Sequence, residues 1–580
     1  MTSSDRPLIV QSDRTLLLDV DHPDAAACRA DIAPLAELER SPEHVHTYRV
    51  TSLGLWNASA AGLDAETVVD ALLRWSRYDV PQSLLLNVAD EMSRYGRLVL
   101  ETHRVHGLVL RSTDVAVLEE VLRAKAVAPL VGPRLDSATV AVPRAERGRL
   151  KQALLKVGWP ADDRAGHVAG AAHDVALRQD GRFTLRPYQV EAVEAFTAAG
   201  SGVVVLPCGA GKTLVGVGAM ARACARTLIL VTNTVAARQW RRELLAHTML
   251  GEEEIGEYSG ERKEIRPVTL ATYQILVTRR KGTFPHLELF GAEDWGLIVY
   301  DEVHLLPAPV FRMTAEIQSR RRLGLTATLV REDGREGDVF SLIGPKRYDA
   351  PWRDIEAQGW IAPARCTEVR VTLADEERLA YALAEAEDRY RVGATARSKL
   401  AVVQALCEEA MRRHEPTLVI GQYLDQLEAI AERLGAPLIT GKTPTRMRES
   451  LYDAFRRGDE PLLVVSKVAN FSIDLPEASV AIQVSGTFGS RQEEAQRLGR
   501  ILRPKADGRQ AHFFTVVARD TNDQDFAGRR QRFLAEQGYA YEIVDGEDIL
   551  VAAERCRRQK ALDDAAPAEL PPAEGPDRSR

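Results

Sequence analysis

Short apolar runs recur through the middle and later parts of the chain, at Gly202 to Leu206, Thr227 to Val231, Val268 to Ala271 and Gly296 to Tyr300, with helically periodic segments between them. Runs so short and so uniformly apolar predict strands buried on both faces, and their alternation with helices predicts parallel sheets with crossover helices. A second set follows Glu415: Thr417 to Ile420, Leu462 to Val465, Val480 to Val484 and His512 to Val517. The pattern therefore predicts two α/β lobes in tandem. Ahead of them, Ala65 to Trp75 and Val115 to Ala124 carry helical spacing in a region without any phosphate loop. That region reads as a folded, mixed α/β domain. From Trp159 to Gly181 the pattern dissolves into Ala, Gly, Asp and His, which predicts a linker or exposed loop. The last residues, Asp564 to Arg580, are rich in Pro, Ala and Glu and predict a disordered tail. The expected organisation is an accessory domain over 1–178, a first lobe over 179–350, a second over 351–545, and a carboxyl-terminal segment over 546–580.

The length of 580 residues suits three or four domains, at roughly 150 residues each. A formal charge of −7, from 76 basic and 83 acidic residues, excludes a protein coated in positive charge but leaves room for a local basic groove. The six cysteines are far apart and form no C-x-x-C pair, so neither an iron–sulfur cluster nor zinc is expected. Scattered thiols suit a reducing cytosol. No run approaches the ~18 apolar residues of a membrane span, so the expectation is a cytoplasmic protein with no membrane partner.

Chemistry concentrates in four places. Val203 to Leu206 runs into Pro207, Cys208, Gly209, Ala210, Gly211, Lys212 and Thr213, a buried strand, a glycine-bearing turn and a helix start. Such a turn aims backbone N–H groups at phosphate oxygens, with Lys212 reaching the β/γ-phosphates and the Thr213 hydroxyl a ligand for Mg²⁺. Leu206 stands where the strict phosphate-loop pattern has its first glycine, and Cys208 reads as a small packed residue. Next, the apolar run to Tyr300 ends in Asp301-Glu302-Val303-His304, carboxylates at the end of a strand where open α/β sheets bind ligands. Asp301 suits the metal and Glu302 suits a water-activating base. Third, Thr326-Ala327-Thr328 follows another apolar strand and suits coupling of nucleotide to movement. Fourth, Gln496, Arg500 and Arg503 lie on a segment where the two arginines share a helical face and can act as fingers on a γ-phosphate.

The order of these motifs resembles that of a superfamily 2 helicase motor, which implies two tandem RecA-like parallel-sheet lobes. Arg186 and Gln189, in Leu185-Arg186-Pro187-Tyr188-Gln189, resemble an adenine-reading Q motif. Arg331-Glu332-Asp333, Ser472-Ile473-Asp474-Leu475-Pro476-Glu477 and the segment from Gly489 to Arg500 are similar to those of the xeroderma pigmentosum group B (XPB) type DNA helicases, most of all their actinobacterial-like branch. The resemblance covers about 183 to 541. It implies ATP and Mg²⁺ as nucleotide and cofactor, 3′→5′ unwinding of duplex or forked DNA, and a role in repair in the bacterial cytosol or nucleoid, with a nuclease or other repair protein as a possible partner. It also implies that Arg331, Glu332 and Asp333 open DNA, and that His304, Thr326, Ala327, Thr328 and Asp474 couple it to ATP. A thumb-like helical segment is expected over 373–398. Ala469-Asn470-Phe471 departs from the Gly-Asp-Thr of eukaryotic and archaeal relatives.

Other readings stay open on the residues alone: a duplex translocase without strand separation, a nucleotide-switched repair scaffold, or an RNA motor. Candidate cations for a DNA backbone are Arg241-Arg242, Arg279-Arg280-Lys281, Arg320-Arg321-Arg322 and Arg456-Arg457. Whether they converge is not legible in the sequence.

Overall fold

The computed structural model describes residues 6–40, 44–178, 184–207, 209–280, 282–318, 320–327, 336–350, 355, 364–466, 478–486, 511–528 and 541–565. Two sheets of seven strands dominate it. In the first, the strands run in the spatial order Ile255–Tyr258, Val268–Thr272, Thr227–Val231, Leu297–Asp301, Arg321–Thr326, Ser201–Val205 and Lys346–Asp349. In the second the order is Leu438–Ile439, Leu462–Ser466, Thr417–Gly421, Val480–Gln483, Ala511–Ala518, Ala364–Val371 and Tyr541–Asp545. Each strand pairs in parallel with its neighbours. Numbered along the chain within its own lobe, each sheet reads 3-4-2-5-6-1-7, the same topology twice. The tandem α/β lobes predicted from the apolar runs are thus present as duplicated sheets. Strands such as Thr227–Val231 and Thr417–Gly421 are buried along their full length because helices cover both faces.

The amino-terminal region holds two further sheets of four strands. Leu8–Val10, Thr15–Asp19, Val45–Val50 and Ala36–Arg40 form an antiparallel sheet. Its core includes Leu16, Leu18, Leu72 and Leu84. Thr139–Ala141, Gly107–Ser112, Leu98–His103 and Ala161–Asp163 form the second sheet, whose last strand is parallel to its neighbour. The helices predicted from periodicity occupy Ala65–Trp75 and Val115–Arg123.

This region is docked tightly on the first lobe. The helix Arg147–Lys156 lies so close to Ala308–Glu316 that a Cβ on Gly148 would sit 2.3 Å from the Ala315 carbonyl oxygen. Gln152 Nε2 donates to Asp338 Oδ1 at 2.7 Å, and the Lys346 amide donates to Asn57 Oδ1 at 3.0 Å. Behind the helix, Asp163 accepts from Arg147 at 2.7 Å and from Lys151 at 2.9 Å, beside the fully buried Arg322. Burial pushes the Lys151 amine down to about 8, against the attraction of Asp163.

The linker expected between Trp159 and Gly181 is instead laid against the protein. Ala161–Asp163 is a sheet strand, Val175 is buried, and Ala172 and Leu177 form bridges to Ala225 and Thr248. Its small residues serve close approach rather than freedom: a Cβ on Gly170 would meet Gly296 at 2.3 Å. At the other end of the chain, Gly546–Ala565 is helical, and the tail beyond it lies outside the described residues. Two short helices, Asp375–Leu383 and Ala386–Ala394, fall within 373–398.

Candidate nucleotide site

The strand order 5-6-1 of the first lobe brings three strand ends side by side. Asp301 pairs with Leu325, and Thr326 pairs with Val205, which leads into the glycine turn. Gly209 and Gly211 have φ of +84° and +77°, left-handed values that residues with a Cβ rarely adopt. Gly211 also has no room for one, since a Cβ would lie 2.5 Å from Gln189 Nε2. The helix Lys212–Ala223 then begins with no side-chain cap, so its first N–H groups and the positive end of its dipole face the turn. That is an anion cradle. Leu206, which replaces the first glycine of the strict pattern, is buried and donates its amide to the Thr326 carbonyl at 3.0 Å. It extends the strand, so no left-handed residue is needed there.

The Q-like segment braces this cradle from behind. Tyr188 Oη and Gln189 Nε2 both donate to the carbonyl oxygen of buried Ala210, at 2.7 and 3.0 Å. Gln189 Oε1 accepts from the Arg186 amide at 2.9 Å, and the Arg186 guanidinium donates to Tyr188 Oη at 3.0 Å. Gln189 is fully buried, with its amide engaged at both ends. Here it holds the loop's backbone. The buried hydrogen bond of the Tyr188 hydroxyl has no signal in the sequence and is visible only in the structure.

The acid pair sits opposite. Trp240 Nε1 donates to Asp301 Oδ2 at 2.9 Å, the Glu302 amide donates to Asp301 Oδ1 at 3.1 Å, and Tyr273 Oη donates to the Asp301 carbonyl at 2.9 Å. Trp240 comes from the helix Thr234–His247, whose amino end is capped by the Asn233 side chain. Gly216 gives the indole its place: a Cβ there would lie 2.4 Å from the Trp240 ring. Burial and the Glu302 carboxylate push the Asp301 carboxyl up to about 6, opposed by the Trp240 hydrogen bond and the Lys212 charge. Glu302 has φ of +49° and reaches Lys212 Nζ at 3.6 Å with one oxygen and His304 Nδ1 at 3.6 Å with the other. His304 Nδ1 is in turn 2.7 Å from Thr326 Oγ1. Lys212, Glu302, His304 and Thr326 thus form one connected path. Ala327 is buried just beyond it.

Thr213 is half-buried in the first helical turn. Among the described residues no group of three or more His, Cys, Asp or Glu side chains is placed to hold a metal ion. A hydroxyl and a carboxylate fit Mg²⁺, which keeps most of its shell as water and substrate phosphate oxygens. Cys208, Thr328, Arg331, Glu332, Asp333, Asp474, Gln496, Arg500 and Arg503 lie outside the described residues.

Most of the basic clusters have structural employment. Arg241 donates to the Ile255 and Glu252 carbonyls, Arg320 pairs with Asp294, and Arg322 is buried with bonds to the Leu342 and Gln318 carbonyls. Arg456 and Arg457 pair with Asp453 and Asp459. Arg242, Arg279 and Arg280 remain exposed.

Comparison with known proteins decides the family. The chain is 70% identical over 94% of its length to the DNA 3′-5′ helicase XPB of Kineococcus radiotolerans, covering 98% of that protein. It belongs to the XPB family of DNA helicases. The XPB of Mycobacterium tuberculosis is 68% identical, with 94% of this chain and 99% of that protein covered. The general transcription and DNA repair factor IIH helicase/translocase subunit XPB of Saccharomyces cerevisiae is 31% identical, with 93% and 72% covered. Residues 355–564 match the ERCC3/RAD25/XPB C-terminal helicase model, and 182–331 match that of the type III restriction enzyme res subunit. Residues 8–136 match a model described as a helicase conserved C-terminal domain. In this XPB-type chain those residues build mainly antiparallel sheets, distinct from the parallel sheet of the second lobe.

Proposed function

We propose that the chain is an ATP-driven motor that moves 3′→5′ along DNA and separates its strands in the service of repair. The observation that carries this reading is the unbroken path Lys212, Glu302, His304, Thr326, because Thr326 ends the strand that leads into the segment holding Arg331, Glu332 and Asp333. Gly209, Gly211 and the helix start cradle the phosphates, and Lys212 balances their charge. Thr213 and Asp301 would hold Mg²⁺, which when bound neutralises charge developing on the transferred phosphoryl group. Glu302 orients the attacking water and takes its proton. A change at the γ-phosphate alters what Glu302 faces, and His304 passes that change to Thr326. In this reading Gln496, Arg500 and Arg503 reach the nucleotide from the second lobe, Asp474 couples it to DNA, and the helices of 375–394 act as the thumb. Closing and reopening of the lobes would then advance the motor. The amino-terminal region would serve DNA or a nuclease partner.

Displacement of a labelled strand from 3′-tailed and 5′-tailed duplexes tests the proposal. Unwinding of the 3′-tailed substrate alone supports it. The yeast relative's description as helicase/translocase favours a second reading, duplex pumping without strand separation. ATP turnover on DNA with no displacement from either tail would decide for that alternative.

A further inference from the structure

Of the basic clusters along the sequence, the Arg279–Arg280 pair stands in a second collection of like chemistry. The strand Ile255–Tyr258 is the edge strand of the first lobe's sheet, five strands from Ser201–Val205 and therefore roughly 24 Å from the phosphate loop at strand spacings of ~4.8 Å. At its carboxyl end, Tyr258 Oη is 2.9 Å from His286 Nδ1, which ties the loop after this strand to the loop before Leu289–Ala292. Lys263 lies over the Tyr258 ring with its amine 4.8 Å from the centroid, and Arg279 lies over the Phe284 ring at 5.1 Å. Reciprocal backbone bonds of 3.0 Å between Arg280 and Thr283 close the tight loop that presents the arginines. Lys263, Arg279, Arg280 and Arg262 are all exposed, whereas Tyr258, Phe284 and His286 are half-buried.

Two features separate this patch from an ordinary solvated face. Its cations crowd one another: burial together with Lys263 and Arg280 holds the His286 imidazole below its usual range, with only Glu288 opposing. Neighbouring Glu261 is itself paired with Arg238 at 3.5 Å. The ring faces, moreover, are covered by the cations. Stacked on an aromatic, a guanidinium keeps its N–H fork free for a planar or tetrahedral anion. The rings therefore orient the charges and offer no open platform for a base.

We propose that Lys263, Arg279 and Arg280 form a phosphate-backbone contact for the DNA on which the motor acts, at the sheet edge remote from the nucleotide. The contact rests on the DNA-motor reading and adds to it a named grip that reads no sequence.

The test measures binding of fluorescein-labelled single-stranded and duplex oligonucleotides to the full chain across a potassium chloride series, for wild type, Arg279→Gln/Arg280→Gln and Arg279→Lys/Arg280→Lys. Thermal melting verifies that each variant is folded. Removal of two phosphate contacts lowers the magnitude of the log K against log salt slope by about 1.8 on duplex or about 1.4 on a single strand. The strand form that shows the loss is the one gripped here. The lysine variant, which keeps the charges, is expected to retain the wild-type slope. A glutamine variant with wild-type slope and affinity on both probes overturns the contact, as would be found if the patch served an acidic protein. A lysine variant that loses the slope as the glutamine variant does also overturns it. Wild-type protein that binds neither probe would instead overturn the DNA-motor reading beneath it.

Discussion

Trp240→Phe isolates one hydrogen bond in the nucleotide site. The substitution keeps an aromatic ring in the space that Gly216 provides but removes the indole N–H that Asp301 Oδ2 accepts at 2.9 Å. A hydrogen bond to a charged group contributes about 1.5–3 kcal/mol, and a buried partner left alone loses that whole amount. The charged form of Asp301 is the one affected. Its carboxyl is pushed up to about 6 because burial and Glu302 oppose ionisation, so in the proposed role its hold on Mg²⁺ is expected to weaken as pH falls through about 6. Loss of even 1.5 kcal/mol corresponds to roughly tenfold in affinity and about one pH unit. ATP hydrolysis on DNA, followed against Mg²⁺ at fixed pH and against pH at fixed Mg²⁺, reads both. At or below about pH 6 the variant is expected to need about tenfold more Mg²⁺ for half-maximal rate, and the acid limb of its profile moves up by about one pH unit. Recovery at saturating Mg²⁺ distinguishes this from damage to the fold. A variant with the wild-type Mg²⁺ requirement and acid limb refutes the argument that Trp240 orients the metal-binding carboxylate.

Glu302→Gln keeps the side chain's shape and removes its basicity, so hydrolysis is expected to fall by about 10²- to 10⁴-fold while a fluorescent ATP analogue still binds. Gly148→Val places atoms where the Ala315 carbonyl stands 2.3 Å from a Cβ. The expected cost is about 1–3 kcal/mol, read as a lower melting temperature and as faster protease cleavage between the amino-terminal region and the first lobe. In the second lobe, Lys399 and Asp523 form a fully buried pair at 2.7 Å. Lys399→Met leaves the aspartate charge alone and is expected to destabilise by about 3–5 kcal/mol in urea unfolding.

The tandem sheets were legible because strands buried on both faces leave uninterrupted apolar runs, as Thr227–Val231 and Thr417–Gly421 do. Ala364–Val371 was not, since Arg365, Glu368 and Arg370 interrupt its apolar pattern, and Glu368 is buried by pairing with Arg370 at 2.8 Å. The placement of the glycine turn and the acid pair at strand ends was legible because each is a run of adjacent residues. The hydrogen bonds of Trp240 and Tyr188 were not, since each reaches a residue more than twenty positions away. Residues 164–178 are the irregular, partly exposed segment that the composition predicts, but small residues signal either freedom or close backbone contact, and only the fold shows that Gly170 lies against Gly296. Three of the four basic clusters largely turn inward or pair with carboxylates: the acceptors of Arg241 and Arg320 come from distant positions, whereas Arg456 and Arg457 pair with Asp453 and Asp459 close by in sequence.

The most direct measurement is inorganic phosphate release by the purified chain with and without DNA, for wild type and Lys212→Ala. Release is expected to rise on addition of DNA and to vanish in the variant, whose cradle has lost the cation beside Glu302. Wild-type release that DNA leaves at background, or a Lys212→Ala protein that still hydrolyses ATP on DNA, would contradict the DNA-motor reading.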